Sequence, residues 1–159
     1  MEARFAEPSE VHVLAELWYA GWQDAHAQIV PAALRKARTL ESFKERLTAD
    51  LSSVRTIGPV GAPAGLCWVK ADELYQLYVA RESRGSGIAT LFIEDAEARL
   101  RAAGVDVAWL ACAIGNERAA RFYERSGWRR AGNMINRLET PNGILELEVW
   151  RYEKRLVPA

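Results

Sequence analysis

Residues 73–102 restrict the fold more than any other stretch, because they read as strand, glycine loop and helix in direct succession. Leu74-Tyr75-Gln76-Leu77-Tyr78-Val79 is apolar and aromatic, and Arg84-Gly85-Ser86-Gly87-Ile88-Ala89 follows it. Ile88, Leu91, Phe92, Ala96 and Leu100 then recur at helical spacing up to Gly104. Such a loop aims several free backbone N–H groups at one point and adds the positive end of the helix dipole. Gly85 and Gly87 permit close approach of a ligand or a positive φ, and Arg84 can add a charge-assisted hydrogen bond. The expected ligand is a phosphate or pyrophosphate. The alternative is a tight turn that needs two glycines for its own geometry.

Two familiar glycine loops do not fit. A P-loop requires Gly-Lys-Ser/Thr, and no Lys follows Gly87. The dinucleotide fingerprint requires a third Gly or Ala where Thr90 stands, and an acidic residue at the end of the next strand. Asp106 has the spacing but precedes the strand Val107–Leu110.

About thirty residues on, Asn116 to Trp128 form a second signal. Ala119, Phe122, Tyr123 and Ser126 share one helical face, with Asn116 as N-cap and Gly127 just past the end. An amphipathic packing helix would explain this segment alone. Together, the two segments resemble the GCN5-related N-acetyltransferase (GNAT) family. Arg84, Gly87 and Ala89 match its Arg/Gln-x-x-Gly-x-Gly/Ala pyrophosphate loop. Asn116, Ala119, Phe122, Tyr123, Gly127 and Trp128 match its Asn-x-x-Ala-x-x-Phe-Tyr-x-x-x-Gly-Trp/Phe helix. The match is close over about residues 54–130 and loose at the flanks.

The resemblance implies an α+β fold with a mixed, mostly antiparallel sheet, helices on both faces and a V-shaped splay between the fourth and fifth strands. It implies acetyl-coenzyme A as cofactor and acetyl transfer to a primary amine, on a small molecule or a peptide. The same fold could also serve as a non-catalytic acyl-coenzyme A sensor. The cofactor would be held by Arg84, Gly85, Ser86, Gly87, Ile88 and Ala89 at the pyrophosphate. Leu77, Tyr78, Val79 and Asn116 would hold the pantetheine arm. Tyr123 occupies the position that the family uses near the thioester sulfur. A phenol of pKa about 10 is a weaker acid than a thiol of about 8.5, so a hydrogen bond to the developing thiolate is the safer role. Glu73 is the candidate general base, directly or through water, provided burial raises its pKa. Gln76 is a neutral alternative for positioning that water. Trp22 and His26, four apart in an aromatic-rich first helix, could line the acceptor pocket, whereas Trp18 reads as core.

Composition narrows the setting. The 159 residues predict one domain over 1–159, half apolar and 26% charged. Lys plus Arg and Asp plus Glu balance at 21 each, which argues against a nucleic-acid partner held by bulk charge. No apolar run or leader pattern points to a membrane, and Cys67 and Cys112, without metal-ligand spacing, read as buried free thiols. A cytoplasmic location and no metal are expected. The element order expected is strand, two helices, three strands, helix, strand, helix, two strands, with only a turn opened at Pro31 and with residues 54–60 and 64–70 as two strands split by Gly61-Ala62-Pro63. Leu145-Glu146-Leu147-Glu148-Val149-Trp150 alternates sharply, and as a long edge strand it would be a template for homodimer pairing.

Overall fold

A computed structural model describes residues 1–157. The strands are β1 (Ala3–Phe5), β2 (Val54–Ile57), β3 (Gly65–Lys70), β4 (Glu73–Val79), β5 (Val107–Ala113), β6 (Arg129–Thr140) and β7 (Gly143–Arg155). The helices are α1 (Val11–His26), α2 (Ala32–Ala37), α3 (Leu40–Ala49), α4 (Ile88–Ala102) and α5 (Glu117–Arg125). The strands form one sheet in the order β1-β2-β3-β4-β5-β7-β6, antiparallel throughout except between β4 and β5. That parallel pair needs a crossover, and α4 supplies it.

The sheet separates two apolar clusters. Ile88, Phe92, Ala96 and Leu100 of α4 and Ala120 of α5 pack with Leu74 and Leu110 in one. Leu14, Trp18 and Trp22 of α1, Leu34 of α2 and Phe43 and Leu47 of α3 pack with Leu66 and Trp68 in the other. Helices therefore cover both faces, as expected. Local chemistry sets their ends: Thr39 Oγ1 accepts from Ser42 N–H at 3.1 Å, and Asn116 Oδ1 accepts from Ala119 N–H at 3.4 Å. Glu10, fully buried, accepts from Arg4 through two bonds of 2.8 and 2.9 Å and from Gly61 N–H at 3.1 Å. The Arg4 hydrogen bonds hold its carboxyl down to about 2, and so fasten the start of the first helix to β1.

Three expectations need correction. Pro31 N-caps a true helix, α2, so three helices rather than two precede β2. Six residues with one buried anchor, Leu34, are too few for a helical period to show in sequence. Second, β2 ends at Ile57 rather than residue 60, because Gly58 at φ +106° turns the chain away. Third, β7 is not an edge strand. It pairs with β6 from Gly143 and with β5 from Val149 to Arg155, so the long free edge belongs to β6.

The feature that shapes the site lies in β4. Trp68 pairs with Gln76 and Val69 with Leu74, which leaves Tyr75 as an extra residue, a β-bulge. Leu74 and Leu77 accordingly pack toward one cluster, and Tyr75 and Tyr78 toward the other. Beside it, β4 and β5 register only at Glu73 and Trp109, and the two strands then part. The expected splay is present.

Candidate functional site

The loop before α4 has the geometry its glycines allow. Gly85 stands at φ +78° and Gly87, the N-cap of α4, at φ +85°. Among the described residues, no well-formed hydrogen bond uses the N–H groups of Gly85, Ser86, Gly87, Ile88 or Ala89. A Cβ placed on either glycine would meet nothing within 4 Å, so the space in front of the loop is open. Arg84 Nη1 lies 3.3 Å from Asp24 Oδ2 on α1. Arg118 Nη2 approaches the same oxygen at 3.7 Å, and Arg81 Nη2 is 4.0 Å from Asp24 Oδ1. Three guanidiniums thus converge on one partly exposed carboxylate, a weak arrangement with positive charge to spare.

From this loop a cleft of about 1290 Å³ runs through the β4–β5 gap to the far side of the sheet. On its β5 side, β4 has no strand partner beyond Glu73, so backbone N–H and C=O groups there are left to the cleft. Tyr78 lies on α1 at Gly21, where a Cβ would come 2.7 Å from its Cδ1. The Tyr123 hydroxyl has no protein hydrogen-bond partner among the described residues, and Tyr123 lines the cleft. Burial, with Cys112 and Tyr78 nearby, pushes this phenol above its ordinary range, so it holds its proton. Burial also pushes the Cys112 thiol up to about 12, which leaves it neutral. Both cysteines are free.

Beyond the gap, the walls come from α1, α2, α3 and the β6–β7 hairpin. Trp22 is 7% exposed, and the His26 ring lies 5.2 Å from it at 31°. His26 Nδ1 is 3.1 Å from the Trp22 carbonyl. Nδ1 therefore carries the proton and donates, leaving Nε2 without one. Burial holds His26 below the usual imidazole range. At the floor, half-buried Glu73 is pushed up to about 7, chiefly by desolvation, which the Lys70 charge only partly opposes. Arg46 Nη2 donates to Tyr75 Oη at 2.6 Å, and Arg38 Nη1 donates to the Glu139 carbonyl at 3.0 Å.

Of the residues singled out from sequence, Glu73, Gln76, Leu77, Tyr78, Val79, Arg84, Gly85, Ala89, Asn116, Tyr123, Trp22 and His26 all line this one cleft. Three do not. Ile88 is 2% exposed, its side chain in the core, so only its backbone can serve the loop. The Ser86 hydroxyl donates to the Ser83 carbonyl, and Gly87 lies on the exposed rim. Sequence reasoning missed Asp24, Arg38, Arg46 and Arg118. Arg118 stands two places past Asn116 in a legible motif and Asp24 lies between Trp22 and His26, whereas nothing local joins residues 38 and 46 to the site. Among the described residues no group of three His, Cys, Asp or Glu could hold a metal, and no helix is long and apolar enough to cross a membrane.

The comparisons agree with this geometry. Residues 56–128 match the model of the acetyltransferase (GNAT) family. A GCN5-related N-acetyltransferase structure from Rhodopseudomonas palustris superposes with a TM-score of 0.73 at 20% identity, covering 96% of this chain and 94% of that one. The PaiA N-acetyltransferase of Thermoplasma acidophilum, solved with coenzyme A, gives 0.71 at 18% identity, over 97% and 98%. YncA of Salmonella typhimurium, a putative acetyltransferase with acetyl-CoA, gives 0.65 at 15%, over 100% and 95%. No curated protein matches the sequence. With the loop, the capped helix and the split sheet all inside or beside the matched residues, residues 56–128 match the acetyltransferase (GNAT) family model, and the chain as a whole has the fold of these N-acetyltransferase structures.

Proposed function

We propose that the protein is an acetyl-coenzyme A-dependent N-acetyltransferase that passes an acetyl group from the thioester to a primary amine by direct attack, with both substrates bound. One observation carries this reading. A single cleft joins the glycine loop, with its free N–H groups, to an aromatic pocket, and Tyr123, whose hydroxyl has no protein partner among the described residues, lines the same cleft. The open space before Gly85 and Gly87 fits a pyrophosphate, with Arg84 and Arg118 beside it. The free side of β4 at Leu77, Tyr78 and Val79 would bond the pantetheine amides as an added strand does. Asn116 caps α5 with its oxygen, and its amide nitrogen remains for the same arm.

When bound, acetyl-coenzyme A supplies an activated acetyl carbonyl and a thiol leaving group. The chain's own residues do the rest. Glu73, about half ionised at neutral pH, takes the proton from the ammonium or amine, directly or through a water that Gln76 helps to place. Tyr123, with a raised pKa, keeps its proton and donates a hydrogen bond where negative charge grows on the sulfur. Trp22 and His26 wall the acceptor side.

Millimolar coenzyme A should raise the melting temperature. At a hundred times Kd the gain is about 2.7 kcal/mol, or about 5–10 °C for a chain of this size. Thermal melts, calorimetry and a thiol-release screen over an amine panel test the proposal together. No shift and no heat would overturn it. Binding with no thiol released by any amine would instead support the sensing module. The pH profile tests Glu73. Its base form is about nine-tenths populated one unit above a pKa of about 7 and about one-tenth one unit below, so kcat should fall roughly tenfold from pH 8 to pH 6. Glu73→Gln should lower kcat and abolish that limb.

A further inference from the structure

We infer that the acetyl acceptor is an amine that also carries a carboxylate, an amino-acid-like molecule or a peptide end, held through that carboxylate by Arg38 and Arg46. This rests on the acetyltransferase reading above and names the substrate class of the same site. The α2 and α3 side of the cleft contains two guanidiniums that the fold leaves electrically unanswered. Arg38 is 6% exposed and lines the cleft, yet among the described residues it has no carboxylate within 4.0 Å. Its one hydrogen bond is the neutral contact with the Glu139 carbonyl. A buried, unpaired charge is costly and normally neutralised by a partner.

Arg46, half-buried on the same wall, likewise lacks a carboxylate. It lies 4.5 Å over the Trp18 ring and donates to Tyr75 Oη. The two cations are close enough that Arg46 adds to the burial that lowers the Arg38 pKa. The nearby acids do not compensate: Asp50 is occupied by the Trp68 indole N–H at 2.7 Å and by the Ser53 hydroxyl at 3.0 Å, and Glu45 and Glu139 are exposed. Each guanidinium already uses one arm on the protein. The remaining planar edge suits a carboxylate, the geometry arginine recognises best. Glu73, on the floor of the same cleft, lies on β4 beside Tyr75, the residue that Arg46 holds. The acceptor half is therefore polarised, with a base for an amine and two cations for an anion.

The test is a binding comparison on the full chain saturated with coenzyme A. Acetylated forms of the proteinogenic amino acids are titrated by calorimetry, each beside its carboxamide. At least one carboxylate should bind at least ~tenfold more tightly than its amide. That advantage should shrink to about twofold or less in Arg46→Gln, the half-buried position, and in Arg38→Gln where that variant folds. A panel in which no carboxylate outbinds its amide would overturn the inference, as would a preference that survives in Arg46→Gln. The coenzyme A titration separates the two claims. If the cofactor does not bind, the acetyltransferase reading fails, and the carboxylate–amide comparison without it still decides the substrate class.

Discussion

Replacing Tyr123 by Phe is expected to lower kcat about a hundredfold while leaving cofactor affinity within a few-fold of the wild type. The ring packs among Phe122, Trp128 and Tyr152 at centroid distances of 5.5–6.4 Å, and Phe preserves that packing. Only the hydroxyl is lost, and no protein group depends on it. If it bonds the sulfur mainly as charge develops, its removal raises the barrier without weakening the ground state. One such donor in a water-poor site contributes about 3 kcal/mol, hence the hundredfold. The raised pKa favours a hydrogen bond over full proton transfer, since burial makes the phenol a weaker acid than a free one. The measurement is kcat for the best amine of the screen beside cofactor Kd, for both proteins. A wild-type kcat in the Phe variant would reduce Tyr123 to a packing residue.

Gly87→Val should weaken coenzyme A binding by a hundredfold or more and leave the fold nearly intact. At φ +85° a β-branched residue is strained, which costs on the order of 1–2 kcal/mol. Nothing within 4 Å obstructs the new Cβ in the free protein, so the thermal midpoint should fall only by the strain. The phosphate side is different, because the side chain grows into the open space where an anion would meet the N–H groups. Two charge-assisted hydrogen bonds lost there amount to about 3 kcal/mol or more, roughly a hundredfold in Kd. Arg84→Ala should be milder, since backbone donors and Arg118 remain. Calorimetry on both variants, with melts as a control for folding, checks the pair. Unchanged affinity in the Val variant would show that the loop is only a turn.

The half of the site around residues 73–128 was legible because its chemistry is local. A strand, two glycines, a cap and an apolar stripe lie within single elements, and each reports its own geometry. The other half depends on residues that only tertiary structure brings together. Arg38 terminates a six-residue helix and Arg46 lies on the next one, and neither has a sequence neighbour that would mark it as a ligand contact. Asp24 meets Arg84 and Arg118 across 60 and 94 positions, with no pattern linking them. The edge-strand reading of residues 145–150 failed for the same reason. Sharp alternation in residues 145–150 shows one covered face, but not which strands flank β7. Glu73 is intermediate: its place at the strand start was readable, and its raised pKa depends on burial by distant elements.

The extra residue at Tyr75 packs its ring on Trp68 and accepts from Arg46, yet it is not needed to set which way its neighbours face. With one residue fewer, Leu74 and Leu77 would still face one layer and Tyr78 the other, as plain alternation dictates. What a regular β4 would lose is its bend, and with it the reason to part from β5. Such a chain could continue its parallel ladder and would be the better-made sheet. The throat of this protein thus opens at a local fault in the sheet, one that selection for stability alone would tend to heal.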